Sequence, residues 1–238
     1  MGKQPAAGGG RWVEVPPERL SRWFTGFSDR HGGLARAEPS GASGASGASG
    51  ASGAAAAGAP DPADMVTVYG ADGAVAECHP PFPPVVVGAD PVADLIAHAS
   101  RDRRVGVLLV RLGGFAAGVF EGSTLVTSKV DTRLVHGRNK AGGQSAQRFA
   151  RRREKQAREL AEAAAAVAAR VLLPSSLDAV VLGGDRAAVD AVFEDRTLAP
   201  LRALAVERFL TVPDPRRDVL SATPYAFRAT RIRVVDAA

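Results

Sequence analysis

A single cysteine, Cys78, stands in 238 residues, which leaves no intramolecular disulfide and no cysteine-built zinc site. Histidine is almost as scarce. His31, His79, His98 and His136 fall without metal-ligand spacing, so neither a structural metal nor a cofactor is expected. Aromatic residues make up only 5% of the chain, although hydrophobic residues reach 46% on the strength of alanine and valine. That balance disfavours an aromatic-cored β-sandwich and favours α/β layers with Ala-rich helices. No apolar run approaches the roughly 18 to 20 residues of a membrane span. Met1 to Gly10 lacks the basic-then-apolar order of a signal peptide, so a cytoplasmic monomer with no membrane partner is expected.

What the chain does have is unevenly placed charge. Its net charge is +5, yet Lys129 to Arg158 carries ten Lys or Arg against Asp131 and Glu154. That stretch is therefore +8 and the remainder −3. Cations gathered on one segment point to a polyanion meeting the chain there.

Pattern divides the chain into a small N-terminal lobe, residues 1–84, and a larger domain, residues 85–238. In the lobe, Val13-Glu14-Val15 precedes a helix with Leu20, Trp23, Phe24 and Phe27 at helical spacing, a docking face. Residues 34–64 read as a flexible Gly/Ala/Ser tether. It holds four Gly-Ala-Ser repeats beginning at Gly41, and a disordered loop is expected there. Met65 to Tyr69 and Val75 to Cys78 flank a Gly70–Gly73 turn as a hairpin.

Pro91 to Ser100 reads as a short helix. Val105 to Val110, Phe115 to Glu121 and Thr124 to Val130 make an antiparallel meander joined by glycine turns. A helix follows from Gln144 to about Leu172, with Phe149, Arg153, Ala157, Leu160, Ala164, Val167 and Val171 on one stripe that only Arg153 interrupts. Pro174 ends it. A strand at Asp178 to Leu182, a helix from Arg186 to Glu194 capped by Asp185, and a strand from Ala205 to Val212 complete the order. Ala226 to Val235 closes the sheet or packs at its edge. This is the order of a three-layer, mixed-sheet α/β domain, and it resembles the ribonuclease H-like topology.

The sharpest motif is Gly142-Gly143-Gln144, at the end of a basic loop and the start of the basic helix. Ester hydrolysis needs a water aimed at the carbonyl, a stabiliser for the oxyanion and a proton route to the leaving hydroxyl. Two glycines let the backbone lie against a substrate with no Cβ in the way and present main-chain N–H groups. The glutamine amide can hold a water without ionising. Arg148, Arg151, Arg152, Arg153, Lys155 and Arg158 on the helix supply contacts for phosphates. A bare Gly-Gly-Gln arises by chance in a glycine-rich chain, so this basic context carries the reading.

The run from Lys129 to Arg133, then His136 through Phe149, resembles the actinobacterial branch of the Vms-like release factors. These are relatives of the catalytic middle domain of eukaryotic and archaeal class I release factors. The resemblance covers roughly Val105 to Val235, with its specificity in residues 138 to 153. It implies a release-factor middle-domain fold and peptidyl-tRNA hydrolysis on stalled ribosomes or large subunits. The glutamine would then enter the peptidyl-transferase centre. By position, Gln144 would be the catalytic glutamine, Gly142 and Gly143 would shape its loop, and Arg138, Lys140 and Arg148 would contact RNA. Eukaryotic quality-control members have other residues between glycine and glutamine, whereas this chain matches the release-factor tripeptide. No segment is expected to decode a stop codon, which favours codon-independent rescue.

Other residues compete for these roles. Gln147 lies one helical turn past Gln144 but does not follow the glycines. His136 shares the loop and reads as a solvated bystander. Gly183-Gly184-Asp185 lacks a P-loop lysine and reads as a strand-to-helix turn. Asp102, Glu121, Asp131, Asp178 and Asp185 would have to assemble for a metal-dependent nuclease. The alternative to a hydrolase is a non-catalytic factor that binds ribosome or tRNA through the same helix.

Overall fold

The computed structural model describes residues 4–6, 9–41, 61–132 and 144–237, with backbone alone for residues 4, 61 and 144–150. The chain forms two compact units, one of residues 1–101 with 228–238 and the other of residues 102–227.

In the first unit, β1 (Gln4–Pro5), β2 (Arg11–Val15), β3 (Leu34–Ser40), β5 (Met65–Gly70), β6 (Val75–His79) and β13 (Thr230–Val235) form one antiparallel sheet. Its order is β1-β2-β13-β6-β5-β3. β4 (Asp61–Ala63) pairs separately with β7 (Val85–Val87). Helices α1 (Pro17–Arg30) and α2 (Pro91–Ser100) join the core. Leu20, Phe24 and Phe27 of α1 are buried with Leu95 and Ala99 of α2 and with Val66, Val68, Ala76, Cys78, Ile232 and Val234 of the sheet. The alternation of these strands puts every second residue inward. Asp90 caps α2 by accepting the Ala93 N–H at 3.0 Å.

Three expectations change here. Leu34 to Ser40, expected within the tether, is a strand paired with β5 from Leu34↔Gly70 to Ser40↔Met65, and Ala37 packs on the core. Residues 61–63 are also paired. The Gly-Ala-Ser repeats from position 42 on lie outside the described residues. Residues 85–101 go with the first unit and not the second, because Val85, Val87, Leu95 and Ala99 bury into its core. The last strand enters that sheet too. Ile232 and Val234 face inward while Arg231 and Arg233 face out, and β13 hydrogen-bonds β2 on one side and β6 on the other.

The second unit is a five-stranded mixed sheet of order β10-β9-β8-β11-β12. β8 (Arg104–Arg111), β9 (Gly114–Glu121) and β10 (Thr124–Thr132) form the antiparallel meander, and β11 (Ala179–Gly184) runs parallel to β8. β12 (Ala205–Leu210) runs parallel to β11. Helix α3 (Gln144–Leu172) and helix α4 (Arg186–Val192) cover one face, where Leu108, Val110, Phe115, Ala117 and Val119 meet Leu160, Ala164, Ala168 and Leu172. A 3₁₀ turn (Arg196–Leu198) and α5 (Ala199–Ala203) add Leu198 and Leu201 to that core.

On the other face, α6 (Arg217–Ala222) places Leu220 over Gly118, and α7 (Pro224–Phe227) sets Phe227 edge-on to Phe120 at 5.6 Å between ring centroids. Helices thus lie on both faces of a mixed sheet. Gly184, at φ +103°, makes the turn from β11 into α4, and a Cβ there would strike the Val110 carbonyl.

Candidate functional site

Direction in the sheet decides where α3 goes. β10 runs parallel to β8, so its end at Thr132 lies on the same sheet edge as the carboxyl ends of β8, β11 and β12. Since β11 starts from the opposite edge soon after Leu172, α3 must run back across the sheet, its N-terminus toward that carboxyl edge. Twenty-nine helical residues span about 43 Å, whereas strands of six to eight residues cover only about 20 to 26 Å. The helix is longer than its support.

Burial marks where the support ends. From Leu160 onward α3 buries Leu160, Ala161, Ala164, Ala165, Val167, Ala168 and Leu172. Between Arg151 and Glu159 no residue is buried, and only Gln156 is even partly covered. The sixteen helical residues from Gln144 to Glu159 make a rod about 24 Å long, and none of those from Arg151 to Glu159 is buried. This explains the one flaw in the apolar stripe: Arg153 and Ala157 lie on the core-facing line of the helix but before the core begins, and both are exposed.

The rod is cationic. Arg151, Arg152, Arg153, Lys155 and Arg158 are exposed, with Glu154 among them and Glu159 just after, and Lys155 reaches Glu159 at 3.7 Å one turn on. Among the described residues the four arginines form no ion pair, so they are open to an outside anion. Exposed Lys129 of β10, paired with Ala117, lies on the α3 face of the sheet, whereas Arg217 of α6 donates to the Ser128 hydroxyl at 3.1 Å on the opposite face.

The sequence-derived site residues fall out as follows. Gln144 is the first residue of α3, and Gln147 and Arg148 belong to its first two turns. Gly142, Gly143, Arg138, Lys140 and His136 lie outside the described residues. Arg151, Arg152, Arg153 and Lys155 stand together on the rod. Arg158, also named from the sequence, stands with them three residues beyond Lys155.

The carboxylates offered as a nuclease centre have other work. Asp185 accepts the Ala188 N–H at 2.9 Å as the N-cap of α4, Asp178 accepts the Arg104 N–H at 2.7 Å, and Glu121 pairs with Arg104 at 3.1 Å. Among the described residues no three His, Cys, Asp or Glu side chains lie together as metal ligands, and no helix is long and apolar enough to cross a membrane.

Residues 103–233, more than half of the chain, match the family described as the Actinobacteria/chloroflexi VLRF1 release factor. The chain belongs to this release-factor family. The family match spans the second unit, with the rod and Gln144, and runs on into β13. Among solved structures, the archaeal translation termination factor aRF1 is 14% identical, with a TM-score of 0.37, covering 69% of this chain and 49% of that one. A second archaeal protein is 16% identical at a TM-score of 0.36, over 67% and 50%. Dom34 of S. cerevisiae, a translation termination-like factor involved in RNA quality control, is 7% identical at 0.33, over 92% and 65%. The chain thus spans about half the length of the two archaeal structures. None of the curated proteins matches it.

Proposed function

We propose that the chain is a codon-independent peptidyl-tRNA hydrolase that frees nascent polypeptides from stalled ribosomes or large ribosomal subunits in the cytoplasm. The observation that carries this reading is the position of Gln144, the outermost residue of a cationic rod in a release-factor family member. The rod meets ribosomal RNA or tRNA through its arginines and carries Gln144 to the peptidyl-transferase centre. Gly142 and Gly143 give the backbone room to approach the ester, and the Gln144 amide holds the attacking water. Arg138, Lys140 and Arg148 contact RNA beside it. The strand order of the second unit, with a meander first and two parallel strands added beyond its first strand, supports a ribonuclease H-like scaffold of the release-factor middle-domain type.

The deciding experiment measures release of nascent chains from purified ribosomal complexes stalled with sense, stop or no codon in the decoding site. Wild-type protein releases from all three alike, and Gln144→Ala abolishes release while leaving binding nearly unchanged. Release that persists in Gln144→Ala overturns the catalytic reading in favour of a binding factor. Release confined to stop codons overturns the codon independence.

A further inference from the structure

Helical geometry sorts the rod's cations into two groups. At about 100° per residue, Lys155 lies about 40° and Arg158 about 20° to either side of Arg151, so the three share one narrow face. Arg152 is turned about 100° away and Arg153 about 200°. The latter falls in line with Leu160 and Ala164, which dock on the sheet further along. Counting back from Arg151 by three and then four residues reaches Arg148 and Gln144, so the face that carries the three cations is also the face on which the helix begins. Counting forward by four from Arg158 reaches exposed Glu162, where the sign of the face reverses as the docked half starts. The run of positive charge therefore has a direction and an end.

We propose that Arg151, Lys155 and Arg158 form a single track for an RNA phosphate backbone, in line with Gln144, and that Arg152 and Arg153 stand outside it. Successive cations on the track rise by about 6 and 4.5 Å along the axis, within the sweep of long side chains following one strand. The occupant is RNA, as suits a release-factor family member, and among the described residues Arg151 and Arg158 form no ion pair, which leaves their planar forks open to phosphate. The alignment with Gln144 rests on the hydrolase reading above. The division of the cations does not.

The test compares two double substitutions that remove equal charge and keep helix propensity: Arg151→Gln with Arg158→Gln, and Arg152→Gln with Arg153→Gln. Binding of the full chain to large ribosomal subunits carrying peptidyl-tRNA is measured against potassium chloride concentration. Far-UV circular dichroism checks that both variants keep their helix. Each lost phosphate contact lowers the slope of log affinity against log salt by about 0.7 to 0.9. The track pair should therefore lose about 1.4 to 1.8 and bind on the order of tenfold more weakly near physiological salt. The off-track pair should lose less than half of that slope.

Equal losses, or a larger loss from Arg152 and Arg153, overturn the track, as does an unchanged slope in both. Gln144→Ala in the same assays keeps the two readings apart. Normal release by that variant refutes the hydrolase and leaves the comparison of cation pairs to stand on binding alone.

Discussion

Ala157→Pro isolates the mechanical role of the rod from its charge. Ala157 is exposed and sits three residues before Leu160, the point at which α3 gains the support of the sheet. A proline there removes the hydrogen bond to the Arg153 carbonyl and clashes with it, at a cost of about 3 kcal/mol within the helix. Kinks of this origin exceed about 20°. From Gln144 to Ala157 the lever is about 20 Å long, so a 20° bend moves its tip by about 7 Å. A misplacement of about 1 Å can lower a rate on the order of a hundredfold, so release should fall at least that far.

The folded core should hardly notice, since no residue from Arg151 to Glu159 is buried. The stability of the variant in urea should fall by less than that figure of about 3 kcal/mol, because the stretch before Leu160 can fray without exposing the core. Ala157→Gln, a good helix former, is the control and should release normally. If Ala157→Pro releases nascent chains at the wild-type rate, the rod is not a rigid lever. If instead it unfolds early in urea, residues before Leu160 carry core stability and the docking point is misplaced.

The core and the first unit give two further expectations. Leu160→Ala removes the first fully supported side chain of α3, 3% exposed, and should lower stability by about 2 to 4 kcal/mol in urea; a loss below about 1 kcal/mol would place the start of docking elsewhere. In the first unit, the Ala74 N–H and the His31 ring, each at 2.9 Å, hold the Asp72 carboxyl below the usual carboxylate range. A lowered folded-state pKa stabilises above the unfolded value of about 3.9 and ceases to as pH falls through the folded value. Thermal unfolding between about pH 5 and pH 2 should therefore show a loss that Asp72→Asn, already lacking the carboxylate, shows less steeply. Parallel pH curves for the two proteins would refute this account.

The second unit was the more legible part of the sequence because its signals are local. Val105 to Val110 is an uninterrupted apolar run of strand length, and α3 has neither glycine nor proline from Gln144 to Leu173, with Pro174 just beyond. Their bounds follow from period and punctuation. What was hidden depends on distant partners. β13 pairs with β2 and β6, more than 150 residues upstream, and nothing in Thr230 to Val235 names the sheet it joins. β3 contains four residues of low strand propensity, Ala35, Ala37, Glu38 and Pro39, and abuts the Gly-Ala-Ser repeats, so composition concealed a strand held by β5. The cations of the rod were legible as residues but not as faces. Only the place where the sheet ends, at Leu160, shows that Arg153 interrupts a stripe that no longer has anything to pack against.

That ending also shows that the rod's sequence is a compromise between folding and binding. A helix stretch such as Arg151 to Glu159, in which no residue is buried, is marginal in water by itself, so it depends on propagation from the docked half, which supplies the costly nucleus. The macrodipole favours acidic residues in a first turn, and α1, α2 and α6 have them in Glu18, Asp94 and Asp218, whereas α4, α5 and α7 do not. α3 has none in its first turn, and its net charge toward the N-terminus is strongly positive. No arginine falls in the first turn, where the dipole acts most; the cost to the helix comes from like charges one turn apart, Arg148 with Arg152 and Arg151 with Lys155, at roughly a few tenths of a kcal/mol each. A phosphate backbone reverses the sign of that interaction, for it neutralises the arginines and meets the positive end of the helix with negative charge. The segment least stabilised by its own chain is thus the one that gains most from contact with a polyanion, the order of energies expected where a helix end is built to bind and not to pack.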